Sequence, residues 1–320
     1  MPGLKELGLQ PHAPVLETFL ARANVTDTGD ADLESTLFTL FDVPAEQGMD
    51  LPSASICRLA DGGEMDDAFW LHADPVYLKP AGDKVLLFDA GMLDIRQSDA
   101  AELALIFNRH FAQDGWLLEA LSHNRWYLRL PAAPAITTRS LIDAIGRNIE
   151  QFMPAGAEAS KWRSALNEVQ MLFHSADVNR QRELEHLLPV NSVWFSGGGR
   201  LPEVPGNTFD RVLSDTPLAL GLARLAEITS APLSLDTLLE VRSGEQVVVY
   251  HQILRSVLDA DPQGWVDAVE RFAAWGETMQ KMLQKKQIDV LRLYPCDGRV
   301  YQVDRNRLRR FWVSRRPISQ

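Results

Sequence analysis

The stretch Asn167–Pro202, NEVQMLFHSADVNRQRELEHLLPVNSVWFSGGGRLP, constrains this chain more than any other. Apolar residues at helical spacing lead into a polar segment, DVNRQRE, then an apolar one, VNSVWF, and finally three consecutive glycines. That order predicts an amphipathic helix, a turn, a strand and a Gly loop. Two readings of it are open. Backbone N–H groups of a Gly-rich loop and the guanidinium fork of Arg182 are suited to a phosphate or carboxylate. The same residues suit a structural turn in which glycine supplies positive φ.

The rest of the chain alternates between helical and strand patterns. Residues 12–23 and 31–41 carry helix-compatible apolar spacing, and 43–64 is irregular, with Pro44, Pro52, Gly62 and Gly63. DPVYLKP and KVLLFDA read as strands around the Pro80–Gly82 turn. Ser98 precedes a helix, DAAELALIFNRHFA, with Glu102 near a capping position. RWYLRL alternates Trp126, Leu128 and Leu130 on one face with Arg125, Tyr127 and Arg129 on the other. TTRSLIDAIGRNIEQF reads as a further amphipathic helix, so this region makes a compact α+β unit with its own core. After Gly206 the pattern is α/β: PLALGLARLAE a helix, QVVVYH a buried strand, WVDAVERFAAWGETMQKMLQKK a long helix and VLRLYP a strand. Strand–helix–strand order there predicts a partly parallel sheet.

Composition enters through what it excludes. The 320 residues are 46% hydrophobic, enough for a large core. No run of 18 apolar residues and no leader pattern at Met1 is present, so a cytoplasmic chain with no membrane partner is expected. Cys57 and Cys296 stand far apart and suit reduced, buried thiols. The net charge is −11, yet residues 299–316 hold seven arginines against one acid, Asp304. That segment carries +6 and leaves −17 on the rest. An acidic body argues against nucleic acid as a partner. The segment also holds Leu308, Phe311, Trp312 and Val313, and the expectation is that it packs on its own acidic body or on a second subunit.

Motifs for nucleotide loops, nucleophile elbows, zincins and Cys-rich metal sites are absent. Gly197–Gly199 is not completed to a dinucleotide fingerprint, since Pro202 holds the place of the third glycine. His174 and Asp177 lie three apart, a spacing open either to a shared metal or to a solvated pair.

DVNRQR at 177–182, followed by PVNSVWFSGGGRLP at 189–202, resembles a signature of the archaeal-type cofactor-independent phosphoglycerate mutases. The pattern is closer still to their bacterial relatives, the RpfE-type regulatory proteins, through Asn167–His174 and Trp194–Pro202. Weaker similarity runs through residues 73–111, through NRWYLRL and through 247–275. The resemblance implies an α/β fold with an alkaline-phosphatase-like core, residues 1–69 and 156–320, and an inserted smaller α+β domain, residues 70–155.

Mutase chemistry in that family needs a nucleophilic Ser beside two divalent metals held by Asp and His. Against that pattern, Pro2-Gly3-Leu4 has no Asp, and Ala31 falls on the nucleophile position with Ser35 close by. The segment from Asp259 to Trp265 lacks the expected His. Ser196 stands where Trp is usual, and Ala176-Asp177 where His-Pro is usual. The resemblance therefore implies a catalytically degenerate relative, regulatory or binding a phosphorylated small molecule, with no catalytic residue, metal or cofactor expected. An active mutase or phosphatase with an atypical site, and an adaptor using the Arg-rich segment for a protein or nucleic acid, are the alternatives. The implied ligand residues are Asn179, Arg182, Asn191, Trp194, Gly197, Gly198 and Gly199.

Overall fold

The computed structural model describes residues 8–44, 46, 48–205, 209–240, 243–315 and 317–318. Pro2-Gly3-Leu4, Gly206 and Arg316, used in the sequence reading, lie outside the described residues. The strands in chain order are β1 (Asn24–Asp27), β2 (Phe69–Ala81), β3 (Lys84–Asp89), β4 (Leu117–Ser122), β5 (Arg125–Leu130) and β6 (Ser192–Gly199). Then come β7 (Arg211–Leu213), β8 (Thr229–Ala231), β9 (Gln246–Val248), β10 (Val290–Leu293) and β11 (Arg299–Asp304). No helix among the described residues is long and apolar enough to cross a membrane.

The chain divides into two compact units. The first draws on Met1–Phe41, Gly206–Ala219 and Glu227–Gln320. Two small sheets form it: parallel β8-β7-β9 and antiparallel β1-β11-β10. The parallel expectation thus holds for QVVVYH, which gives β9. VLRLYP differs: it becomes β10, antiparallel to β11 across a short turn at Cys296–Gly298, because a hairpin neighbour is closer along the chain than a crossover partner. The helix Pro262–Gln284 begins where Asp261 accepts from Gly264 N at 2.9 Å. Its Val269 and Ala273 pack with Val15, Leu16 and Phe19 of the helix Pro14–Arg22 and with Val303.

The second unit holds Asp42–Pro205 and Leu220–Ala226. Its antiparallel sheet runs β3-β2-β5-β4, and β6 pairs with β2. All of residues 70–155 lie inside this unit, and its strands are separate from the sheet containing β9. The unit reaches further than 70–155 because β6, from residues 192–199, completes the ladder on β2.

Alternation on β2 and β5 sets the layers. Phe69, Leu71 and Ala73 of β2 and Trp126, Leu128 and Leu130 of β5 face one core, as the RWYLRL pattern predicts. Helices Gln97–His110 and Ala159–His174 supply Leu103, Phe107, Trp162, Val169 and Phe173 to it. The Trp116 and Trp162 rings stack there, 4.9 Å apart and 18° from parallel. The opposite face of β2 and β6 is covered by the helix Ser53–Ala60. Arg224 clamps the Leu220–Ala226 segment to this helix through Leu59 O at 2.8 Å.

Residues 137–152 do not form the predicted continuous helix. Leu141–Ala144 is one turn and Ile149–Gln151 is 3-10. Between them Gly146, at φ 70°, donates to Leu87 O at 2.8 Å, and Asn148 accepts from Val85 N. The segment follows the β3 edge instead, since glycine there admits the left-handed turn.

Candidate functional site

The helix Ala159–His174 buries Trp162, Ala165, Leu166, Val169 and Phe173, a stripe at three- and four-residue spacing. DVNRQRE is not a turn but a second helix, Asp177–Leu184, which buries Val178, Asn179 and Arg182. The break between the two helices is only Ser175-Ala176. Ala176 O restarts the chain as acceptor for Asn179 N and Arg180 N. The second helix closes with His186 at φ 62° and Leu187 N bonded to Arg182 O, a left-handed C-terminal turn. Asp177 pairs with Arg180 at 3.3 Å on the surface.

Arg182 is 1% exposed and every N–H of its guanidinium has a protein acceptor. Nε donates to Leu188 O at 3.1 Å. Nη1 donates to Asp99 Oδ2 at 2.5 Å and to Asp94 O at 3.3 Å. Nη2 donates to Leu188 O at 2.9 Å and to Leu93 O. Asp99 is also the cap of the helix Gln97–His110, accepting from Arg96 N, the position at which the sequence pointed to Glu102. Glu185 pairs with Arg96, and the acid that braces Arg182 is Asp99.

Both asparagines are used in the same way. Asn179 Nδ2 donates to Phe173 O and Val190 O, both at 2.8 Å, and its Oδ1 accepts from Val190 N at 2.9 Å. Asn191 accepts from Leu78 N at 2.7 Å and donates to Leu78 O at 2.9 Å, extending the β2–β6 ladder with a side chain. Trp194, 2% exposed, donates from Nε1 to Arg139 O at 2.9 Å.

Gly197–Gly199 is not a loop: it is the end of β6. A Cβ on Gly199 would sit 2.3 Å from Pro52 Cβ, and one on Gly198 would sit 2.8 Å from Leu71 Cδ2. Gly197, at φ 61°, lies against Ser53 Oγ and the His72 ring and donates to Thr138 Oγ1 at 3.2 Å. The glycines let the strand close onto its neighbours.

A second polar constellation lies under the Ser53–Ala60 helix. Its sequence sign is the alternation of Trp70, His72 and Asp74 in FWLHADP, opposite Arg125 and Tyr127 of β5. Asp61 accepts two bonds from Arg125, both 2.7 Å, and one from Tyr127 OH at 2.6 Å. The bond to Asp61 holds Arg125 more firmly protonated, and burial pushes the Tyr127 hydroxyl up. His72 Nδ1 stands 3.9 Å from Asp74 Oδ2. His72 Nδ1 and Asp74 Oδ1 are buried without a hydrogen-bond partner among the described residues. Burial lowers the imidazole to about 4 and raises the carboxyl to about 7. At 3.9 Å the imidazole and the carboxyl stand beyond hydrogen-bond distance of each other.

Among the described residues, no three His, Cys, Asp or Glu side chains converge in a way that would hold a metal ion.

No protein-family model matches the chain, and no curated protein matches it. Among solved structures it is similar to the PH0037 protein from Pyrococcus horikoshii, with a TM-score of 0.54 at 12% identity over 94% of this chain and 83% of that one. That likeness shows a shared fold. Also similar is the cofactor-independent phosphoglycerate mutase from Thermoplasma acidophilum DSM 1728, with a TM-score of 0.44 at 14% identity over 94% of this chain and 85% of that one.

Proposed function

We propose that this chain is a catalytically degenerate phosphoglycerate-mutase-like protein with a regulatory role, of the RpfE type that its 167–202 signature resembles. The observation that carries this reading is Arg182. The one charged side chain among the seven implied ligand residues is 1% exposed and donates only to Asp99 and to backbone carbonyls. Of the two roles implied by the resemblance, ligand capture and regulation through a partner, this geometry favours regulation. An anion would have to displace five satisfied bonds before it gained any.

Residues at the positions of the mutase chemistry have local structural work. Asp32 caps the helix Leu33–Leu40, accepting from Ser35 N and Ser35 Oγ, both at 2.8 Å. Asp259 pairs with Arg255, and Asp261 caps the helix Pro262–Gln284. Ser35, close to the nucleophile position, is thus half-buried in a cap.

Two measurements test the reading. Pure protein supplied with Mn²⁺ should not isomerise 3-phosphoglycerate to 2-phosphoglycerate above the protein-free rate. Its melting temperature should not rise in saturating 3-phosphoglycerate. Robust turnover would replace the proposal with the active-mutase reading. A ligand-dependent rise without turnover would replace regulation with ligand capture.

A further inference from the structure

The arginine-rich segment, expected on its own acidic body or on a second subunit, leaves its aromatic side chains uncovered by its own chain. Leu308 is buried, but Phe311 and Trp312 are 83% and 69% exposed. They are ordered relative to each other, 5.3 Å apart and edge to face. Backbone bonds from Arg310 N to Arg307 O, Phe311 N to Arg309 O and Val313 N to Arg310 O wind the segment into tight turns. Its root is fixed: Asp304 caps the turn Arg305–Leu308, and Arg22 donates to Leu308 O. Arg309, Arg310 and Arg315 are exposed and make no side-chain bond among the described residues. An aromatic pair ringed by unpaired guanidinium groups is the composition of an interface hot spot.

The partner follows from charge and from strand direction. The chain outside residues 299–316 carries −17, which repels a polyphosphate and attracts this segment. Asp27, Asp30 and Asp297 of the same unit gather at the other end of the sheet from the segment. Asp27 pairs with Arg299 at the start of β11, whereas the segment leaves from the end of β11. The six residues of that strand span about 17 Å. β1 is exposed along its length and is an edge of its sheet. Two β1 edges meeting antiparallel would set each aromatic turn at the other copy's acidic end, a self-complementary twofold contact.

We propose that the Phe311–Trp312 turn is an interaction surface for a second copy of this chain, seated at that copy's Asp27–Asp30–Asp297 end. This goes beyond the regulatory reading and does not depend on it.

Sedimentation velocity on the full chain tests it. Dimer is expected at low salt, with dissociation about tenfold or more easier at high salt. The variants Arg309→Glu/Arg310→Glu and Asp27→Lys/Asp30→Lys should each sediment as monomer, with unchanged circular dichroism. Mixed together they should dimerise, because one contact then joins the reversed tail to the reversed edge and the other joins the native tail to the native edge. Phe311→Ser/Trp312→Ser should also be monomeric. A wild type that is monomeric at low salt, a dimer indifferent to both reversals, or a mixture that fails to pair would each overturn the proposal. So would a monomer that binds a single-stranded oligonucleotide and loses that binding in Phe311→Ser/Trp312→Ser, which would assign the surface to nucleic acid.

Discussion

Arg182 and Arg310 carry the same side chain into opposite surroundings. Arg182 is enclosed, paired with Asp99 and bonded to three carbonyls, of Leu93, Asp94 and Leu188, and it holds residues 177–188 against the start of the helix Gln97–His110. Arg310 is exposed, lies beside an exposed aromatic pair and has no side-chain bond among the described residues. A motif match measures which residue types occur in which order. It does not distinguish donors aimed inward from donors aimed outward. The segment that resembles a ligand signature is saturated, and the segment that resembles nothing in particular has unspent donors.

The sharpest way to break this contrast is Arg182→Ala. It should cost about 3–5 kcal/mol in urea unfolding, because Asp99 is left buried and unpaired together with the carbonyls of Leu93 and Leu188. Arg182→Lys should recover only part, since an ammonium cannot span the same acceptors. A loss below about 1 kcal/mol would mean that Arg182 is not a brace.

Asn179→Ala comes next, at about 2 kcal/mol, with the Val190 amide left without its acceptor. At the other extreme, Phe311→Ser/Trp312→Ser should change the stability of dilute protein by less than about 0.5 kcal/mol, because these rings are exposed. A larger loss would show that the turn is packed on its own chain, and the contrast would fail from that side.

The pH profile supplies the smallest effect in the wild type. The folded His72, at about 4 against an ordinary 6.5, binds fewer protons than the unfolded chain between those values, so its contribution makes stability rise with pH. The folded Asp74, at about 7 against 3.8, binds more, so its contribution makes stability fall as pH rises from about 4 to 7. The two cancel up to about pH 6.5, and only a slight fall remains from there to about 7. His72→Leu should unmask Asp74, giving a decline of about 1.4 kcal/mol per pH unit from about pH 4 to 7. Asp74→Asn should unmask the opposite slope between about pH 4 and 6.5. Parallel profiles for both variants would show that the pair is not isolated from water.

The helical stripe of 159–174 and the alternation of RWYLRL are local periodicities, and both were legible in the sequence. The seven implied ligand residues do stand close along the chain, but their roles depend on partners that no local pattern names. Asp99 is 83 residues from Arg182, and Leu78 is 113 from Asn191. Three successive glycines suggested a loop because glycine favours one. Close approach of Pro52, Ser53 and Leu71 makes the same residues necessary in a strand. The His72–Asp74 pair was hidden because an isolated His and Asp on a strand become notable only when β5 and the Ser53–Ala60 helix exclude water from them.

The stacked Trp116 and Trp162 rings have an optical consequence. Two indoles 4.9 Å apart and nearly parallel couple their electronic transitions, and the resulting circular-dichroism couplet vanishes once the rings separate. Both lie in the second unit, whereas Trp265, Trp275 and Trp312 lie in the first. Melting of the second unit can therefore be followed by the couplet alone, in the unlabelled protein.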